Sequence, residues 1–130
     1  MPAPWRVHKF GGSSVADAAC MQRVAAIIEA DPFTRLGVVL SASRGVTDAL
    51  LALVTQAERQ QPVEDALQAL RTRHLDMAQT LIAGPSADAY AEVLDHDCRD
   101  IQGILHAVQL TRSASSTVRD LVAGFGEIWS

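Results

Sequence analysis

The stretch "VHKFGGSSVADA", residues 7–18, changes character twice. Trp5 to Phe10 alternate weakly between apolar and polar and read as a short strand. Gly11, Gly12, Ser13 and Ser14 follow, with almost no side chain among them. From Asp17 the pattern becomes helical. Two glycines and two serines cannot build a core, but they let something approach the backbone. A glycine-rich turn between a strand and a helix aims main-chain N–H groups at one spot, where the helix N-terminus adds partial positive charge. Lys9 stands just before the break and adds a full charge. This is not a Walker A loop, in which the lysine follows the glycines, nor a G-x-G-x-x-G turn. On these residues alone a tight turn with a solvated lysine remains the alternative.

Working outward, Met21, Val24, Ile27 and Ile28 recur at helical spacing, and Pro32 ends that helix. "LGVVLSAS" (36–43) is a continuous apolar run closing in small residues. It predicts a strand buried on both faces, as in a parallel sheet. "GVTDALLALVTQAERQ" then reads as a helix with Thr47 or Asp48 near its cap. Residues 1–60 therefore spell strand, loop, helix, strand, loop, helix, the opening of a parallel α/β sheet. Residues 61–130 carry no strand signal. A helix runs from Pro62 on an apolar face of Val63, Leu67, Leu70, Leu75, Met77 and Leu81, and Gly84-Pro85 breaks it. A second has Ser86 as its expected N-cap, and a third begins near Thr117 after the turn-like "TRSASS". The closing "GFGEIWS" (124–130) is apolar, without a C-cap signal. Two strands make a poor sheet, so the expectation is the front part of a longer α/β domain.

The chain has 130 residues, a formal charge of -4, 48% apolar residues and only 5% aromatic ones. One domain with an aliphatic core follows. The acidic balance argues against non-specific binding to nucleic acid or to an anionic membrane. No apolar run approaches the roughly 18 residues of a spanning helix. The N-terminus "MPAPWRVHKF" lacks the apolar segment of a signal peptide. Cys20 and Cys98 stand at no metal or disulfide spacing, which suggests a reduced, cytoplasmic protein. "HDC" at 96–98 contains ligand-type residues. Adjacent residues on a helix point different ways, so no metal site is expected there.

Three segments together, "KFGGSSVADA" (9–18), "VVLSASRGVTDALLALV" (38–54) and "GFGEIWS" (124–130), resemble the aspartokinases of the amino-acid kinase family. The resemblance implies the N-terminal part of an amino-acid-kinase-type parallel sheet sandwich, helix-rich and incomplete in this chain. It implies transfer of the ATP γ-phosphoryl group to the side-chain carboxylate of L-aspartate, giving aspartyl-4-phosphate for lysine, threonine and methionine synthesis. It puts Lys9, Gly11, Gly12 and Ser13 at the ATP phosphates, Lys9 in the catalytic role, with Ser14 alongside as a possible helix cap. It puts Ser41, Ala42 and Thr47 at the substrate, with Glu127 paired to the aspartate ammonium group. ATP would bring Mg²⁺ as its complex. Two positions depart from the family pattern. Arg44 replaces a small or apolar residue and is read as solvated, and Phe125 stands where a His or Arg often precedes the Gly-Glu pair.

Nothing in residues 1–130 resembles the family's later Gly-rich segment with Ser and Asp, its adenine pocket, its later substrate arginine or its ACT domains. The chain alone is therefore expected to be inactive and to pair with the remainder of its own catalytic domain. A homo-oligomer is expected too, through a helical surface or a sheet edge. "GGSSVADA" and "GEIWS" lean toward bifunctional forms fused to homoserine dehydrogenase or diaminopimelate decarboxylase. Two other classes stay open at this point, a non-catalytic anion- or nucleotide-binding module and a helical interaction fragment.

Overall fold

A computed structural model describes all of residues 1–130. Strand β1 (Arg6–Phe10) runs parallel to β2 (Leu36–Leu40), in register from Arg6 opposite Leu36 to Phe10 opposite Leu40. Helix α1 (Ala18–Glu29) makes the crossover between them. A 3₁₀ turn, Gly12–Val15, separates β1 from α1. The alternation along β1 turns Phe10 inward, where it is buried with Val15 and Val24 and packed by Met21, Ile28 and Leu40. Asp17, not Ser14, caps α1, its carboxylate accepting from the Cys20 amide at 2.8 Å.

The start of the sheet is pinned by one carboxylate. Asp31 accepts from the Phe33 amide at 2.9 Å, and its other oxygen meets His8 Nε2 at 2.7 Å and Arg6 at 3.2 Å. The Phe33 amide, then His8 and Arg6, hold its carboxyl below the usual range.

The second strand corrects the expectation of burial on both faces. It stops at Leu40, and Val38 and Val39 remain 42% and 49% exposed. The cause is architectural: α1 covers one face in part, and no helix of this chain lies on the other. Trp5 and Val7 are likewise bare, at 66% and 63%.

The larger core is helical. Helix α2 (Val46–Glu58) lies among α3 (Glu64–Leu81), α4 (Pro85–Thr111) and α5 (Ser116–Ile128). Leu50, Leu53, Leu94, Ile101, Leu105 and Val122 fill the space between them and are almost wholly buried. Helix α3 also touches α1, and Arg73 on α3 donates to the Ala16 carbonyl at 3.0 Å. That bond links the bundle to the end of the glycine-rich loop.

The starts of α2, α4 and α5 also differ from the sequence expectation. Gly45 caps α2 with φ 80° and no side-chain cap bond. Thr47 and Asp48 therefore sit inside the first turn. Gly84 precedes Pro85 at the first position of α4, so Ser86 is inside the helix. Proline fits there because its fixed φ suits a helix and its missing N–H would have had no partner. Ser115 caps α5 by accepting from the Val118 amide at 3.2 Å, so the helix starts at Ser116.

"GFGEIWS" is not a loose end. Residues 124–128 complete α5, and Trp129 is its buried C-cap, 2% exposed. The Trp129 indole donates to Asp97 at 3.0 Å, its carbonyl accepts from Tyr90 at 2.7 Å, and its ring meets His74 edge-on with centroids 5.1 Å apart. Burial pushes the Tyr90 hydroxyl up to about 12. No helix is long and apolar enough to cross a membrane.

Candidate active site at the carboxyl end of the sheet

Parallel pairing brings the carboxyl ends of β1 and β2 to the same side, which is where open α/β sheets bind small ligands. Two loops leave from there. The first, Gly11–Val15, follows β1. The second, Ser41–Gly45, follows β2. The second is tied to the end of β1 and to the first loop directly: the Ser41 amide donates to the Phe10 carbonyl at 3.1 Å, and the Arg44 amide donates to the Gly12 carbonyl at 3.1 Å. Gly12 fits this contact closely: a Cβ there would lie 3.2 Å from the Ala42 carbonyl oxygen and 3.4 Å from the Arg44 Cα, so the facing backbone would have to give way slightly. Ser43, 2% exposed, adds a side-chain tie, its hydroxyl donating to the Val15 carbonyl at 2.8 Å.

In the first loop the carbonyls of Gly11 and Gly12 are occupied, by the Ser14 and Arg44 amides. The amides of Gly11, Gly12 and Ser13 make none of the bonds between elements or within loops. As the leading N–H groups of a helical turn they also have no partner inside it. Gly11 and Ser13 are exposed. Lys9 pairs with Val39 on the sheet face away from Phe10, is exposed, and takes part in none of the ion pairs. Lys9 thus ends β1 next to a turn whose Gly11, Gly12 and Ser13 amides have no partner, its own cation unpaired. A hollow of about 260 Å³ opens beside the turn, lined by Phe10, Ser13, Ser14, Cys20, Arg23 and Ile27 among others.

The second loop holds Ser41, half-buried, its hydroxyl donating to the neighbouring Ala42 carbonyl at 2.8 Å. Thr47 is half-buried in the first turn of α2, and because Gly45 is the cap its hydroxyl is not spent on capping. Arg44 is exposed.

Glu127 arrives from far along the chain. Its neighbour Gly126 is buried against the second loop, where an added Cβ would lie 2.9 Å from Ala42 Cβ and 3.1 Å from Val46 Cγ1. Ser130 closes the other side, its hydroxyl 2.5 Å from the Ser41 carbonyl. The Glu127 carboxylate is exposed and joins no ion pair. Phe125 packs toward Trp129, with ring centroids 6.1 Å apart, and contributes no polar group.

Sequence reasoning did not single out Gly126, Ser43, Ser130 or Arg73. Their partners lie tens of residues away, and no spacing announces them. Along α4, His96 faces solvent beside Asp100 while Asp97 and Cys98 are buried. No group of three or more His, Cys, Asp or Glu side chains converges as a metal site. Larger hollows, about 430 Å³ between α3 and α4 and about 590 Å³ between α4 and α5, are lined by no residue of either loop.

A model of the amino acid kinase family matches residues 4–130. The chain is 35% identical over 127 residues to the bifunctional aspartokinase/homoserine dehydrogenase 2, chloroplastic, of Arabidopsis thaliana, covering 97% of this chain and 14% of that protein. It is 36% identical over 126 residues to the lysine-sensitive aspartokinase 3 of Escherichia coli (strain K12), covering 95% and 26%. Among solved structures, E. coli aspartokinase III in complex with aspartate and ADP superposes with a TM-score of 0.79 at 34% identity, covering 95% of this chain and 26% of that one. The chain thus spans between a seventh and about a quarter of these relatives. By sequence and by fold the chain belongs to the amino acid kinase family, and the relatives it matches within it are aspartokinases.

Proposed function

We propose that this chain is the amino-terminal part of an aspartokinase and supplies half of its catalytic site. The observation that carries the reading is the meeting of three separate segments at the carboxyl end of the sheet: the Gly11–Val15 loop, the Ser41–Gly45 loop and the end of α5. In the reaction a side-chain carboxylate oxygen of L-aspartate bonds to the γ-phosphorus of ATP while the bond to the β–γ bridging oxygen breaks. The products are aspartyl-4-phosphate and ADP. Such transfer is mainly positioning and charge neutralisation.

Lys9 offsets charge on the transferring group, and the amides of Gly11, Gly12 and Ser13 hold phosphate oxygens. Ser41 and Thr47 face the amino-acid side. Glu127 pairs with the substrate ammonium group; a carboxylate so close to phosphates would repel them, so it belongs on that side. Mg²⁺ enters with ATP as part of the substrate. Four supports stand behind these roles: the uncommitted Lys9 cation, the uncommitted amides, the Thr47 hydroxyl free of capping, and the aspartate and ADP bound by the E. coli relative. The bare faces at Val7, Val38 and Val39 support pairing with the rest of a catalytic domain; a homo-oligomer and a cytoplasmic location are part of the same proposal.

Calorimetry and a coupled ADP-release assay on a full-length protein carrying this chain test the reading. Heat with Mg·ATP and with aspartate separately, and ADP release that requires aspartate, are expected. Nucleotide binding without any aspartate response would replace the kinase with a non-catalytic nucleotide-binding module.

A further inference from the structure

Ser43 is a buried polar residue that the roles above leave unused. It is 2% exposed, and its hydroxyl donates to the Val15 carbonyl at 2.8 Å across 28 residues of chain. Three hydrogen bonds tie the second loop to the end of β1 and the turn that follows it. Two are between main-chain atoms, from Ser41 to Phe10 and from Arg44 to Gly12. Ser43 makes the third, the only one that belongs to a side chain. Its acceptor closes the 3₁₀ turn that begins at Gly12. The phosphate-side turn is therefore held at its near end by Arg44 and at its far end by Ser43. Both holds come from one short segment, Ser41–Gly45, which also carries Ser41 and leads directly into Thr47.

We propose that Ser43 is a positioning residue that fixes the phosphate-side turn relative to the aspartate-side loop, so that the two substrates are held at reacting distance. The inference rests on the kinase reading above. Ser43 touches neither substrate. Its work is geometric: with Val15 held, the Gly11–Ser13 amides keep one orientation with respect to Ser41 and Thr47. Reaction between two bound groups is steeply sensitive to such placement. Removing the hydroxyl leaves the Val15 carbonyl without that partner, and a buried acceptor left so is costly. The relaxation open to the turn is a rotation away from the second loop.

The test compares Ser43→Ala and Ser43→Cys with the parent in the full-length protein, each corrected for folded fraction. For Ser43→Ala, kcat is expected to fall about tenfold, one such interaction's worth, with both KM values within about twofold. The cysteine, a weak donor of similar size, is expected to recover part of kcat. Hydrogen exchange without ligand is the second readout: amides of 12–17 and 41–47 are expected to exchange faster together in Ser43→Ala, with α3 and α4 unchanged. An alanine variant whose kcat per folded molecule matches the parent overturns the proposal, as does faster exchange spread evenly over the whole protein. If the parent itself releases no ADP with aspartate, the kinase reading fails instead. The exchange experiment then still decides whether Ser43 joins the loops.

Discussion

Gly126→Ala should separate the packing of α5 from its service to the site. In a helix interior this change normally stabilises, by about 1 kcal/mol. Here the new methyl would lie 2.9 Å from Ala42 Cβ, 3.1 Å from Val46 Cγ1 and 3.5 Å from Leu50 Cδ1. Carbon atoms attract best at about 3.5–4.0 Å, so α5 must back away from the second loop by about 0.6–1 Å. Overpacking of this kind costs about 1–3 kcal/mol. The net loss of stability is therefore about 0–2 kcal/mol, and the fold survives. Glu127 is the next residue and moves with the helix. A displacement near 1 Å can cost about a hundredfold in a positioned reaction. We expect kcat/KM for aspartate to fall ten- to hundredfold while KM for ATP barely changes. Gly124→Ala is the control, because nothing lies within 4 Å of a Cβ there. It should raise the melting temperature and leave both substrates alone. Thermal denaturation with coupled ADP-release kinetics reads both variants. If Gly126→Ala stabilises as much as Gly124→Ala and keeps its aspartate kinetics, the packing of α5 on Ala42 does not position Glu127.

Lys9→Ala should keep its circular dichroism spectrum and lose about 10²–10³ in kcat, the scale for one preorganised charge-stabilising group; a rate within threefold of the parent removes Lys9 from the phosphate site. Glu127→Gln should raise KM for aspartate about ten- to hundredfold, since a hydrogen bond to a charged group contributes about 1.5–3 kcal/mol, and equal damage to ATP binding would place Glu127 elsewhere. Burial holds the His74 imidazole below its ordinary 6.5, so the folded state resists a proton that the unfolded state accepts. Its stabilising contribution is full above about pH 6.5 and is lost as pH falls toward the lower folded value, by at most about 1.4 kcal/mol per pH unit; melting from pH 7.5 to 5 should show this slope, and His74→Leu should flatten it. Residues 1–130 expressed alone should release no ADP in response to saturating ATP, Mg²⁺ and aspartate, because Val7, Val38 and Val39 stand uncovered and positioning is most of phosphoryl transfer; turnover near 1 s⁻¹, about the low end for kinases, would refute that.

What could be read from the sequence follows how local each cause is. The glycine-rich turn is local: its strand, its glycines and the start of its helix occupy consecutive residues. It was therefore legible in "VHKFGGSSVADA". The faces of β2 were not, because a continuous apolar run says that both faces avoid water in the complete sheet without saying what covers them. The caps of α2 and α4 are not legible for one reason: a polar side chain near a helix start, whether Thr47, Asp48 or Ser86, looks like a cap, yet Gly45 at φ 80° and the Gly84-Pro85 pair already set the backbone geometry. In "GFGEIWS" the glycines lower helix propensity, and tertiary packing overrides them, since Gly126 is small so that α5 can lie on Ala42 and Val46. Trp129 is held by Asp97, 32 residues away, and Ser43 by Val15, 28 residues away; no periodicity encodes such pairs. The candidate site divides along the same line. On the proposed roles, the phosphate half is written in consecutive residues and then held by Ser43 and Arg44, whereas the aspartate half, Ser41, Thr47 and Glu127, comes together only once α5 has packed on α2. A destabilising change in the bundle should therefore weaken aspartate kinetics before it disturbs the glycine-rich turn.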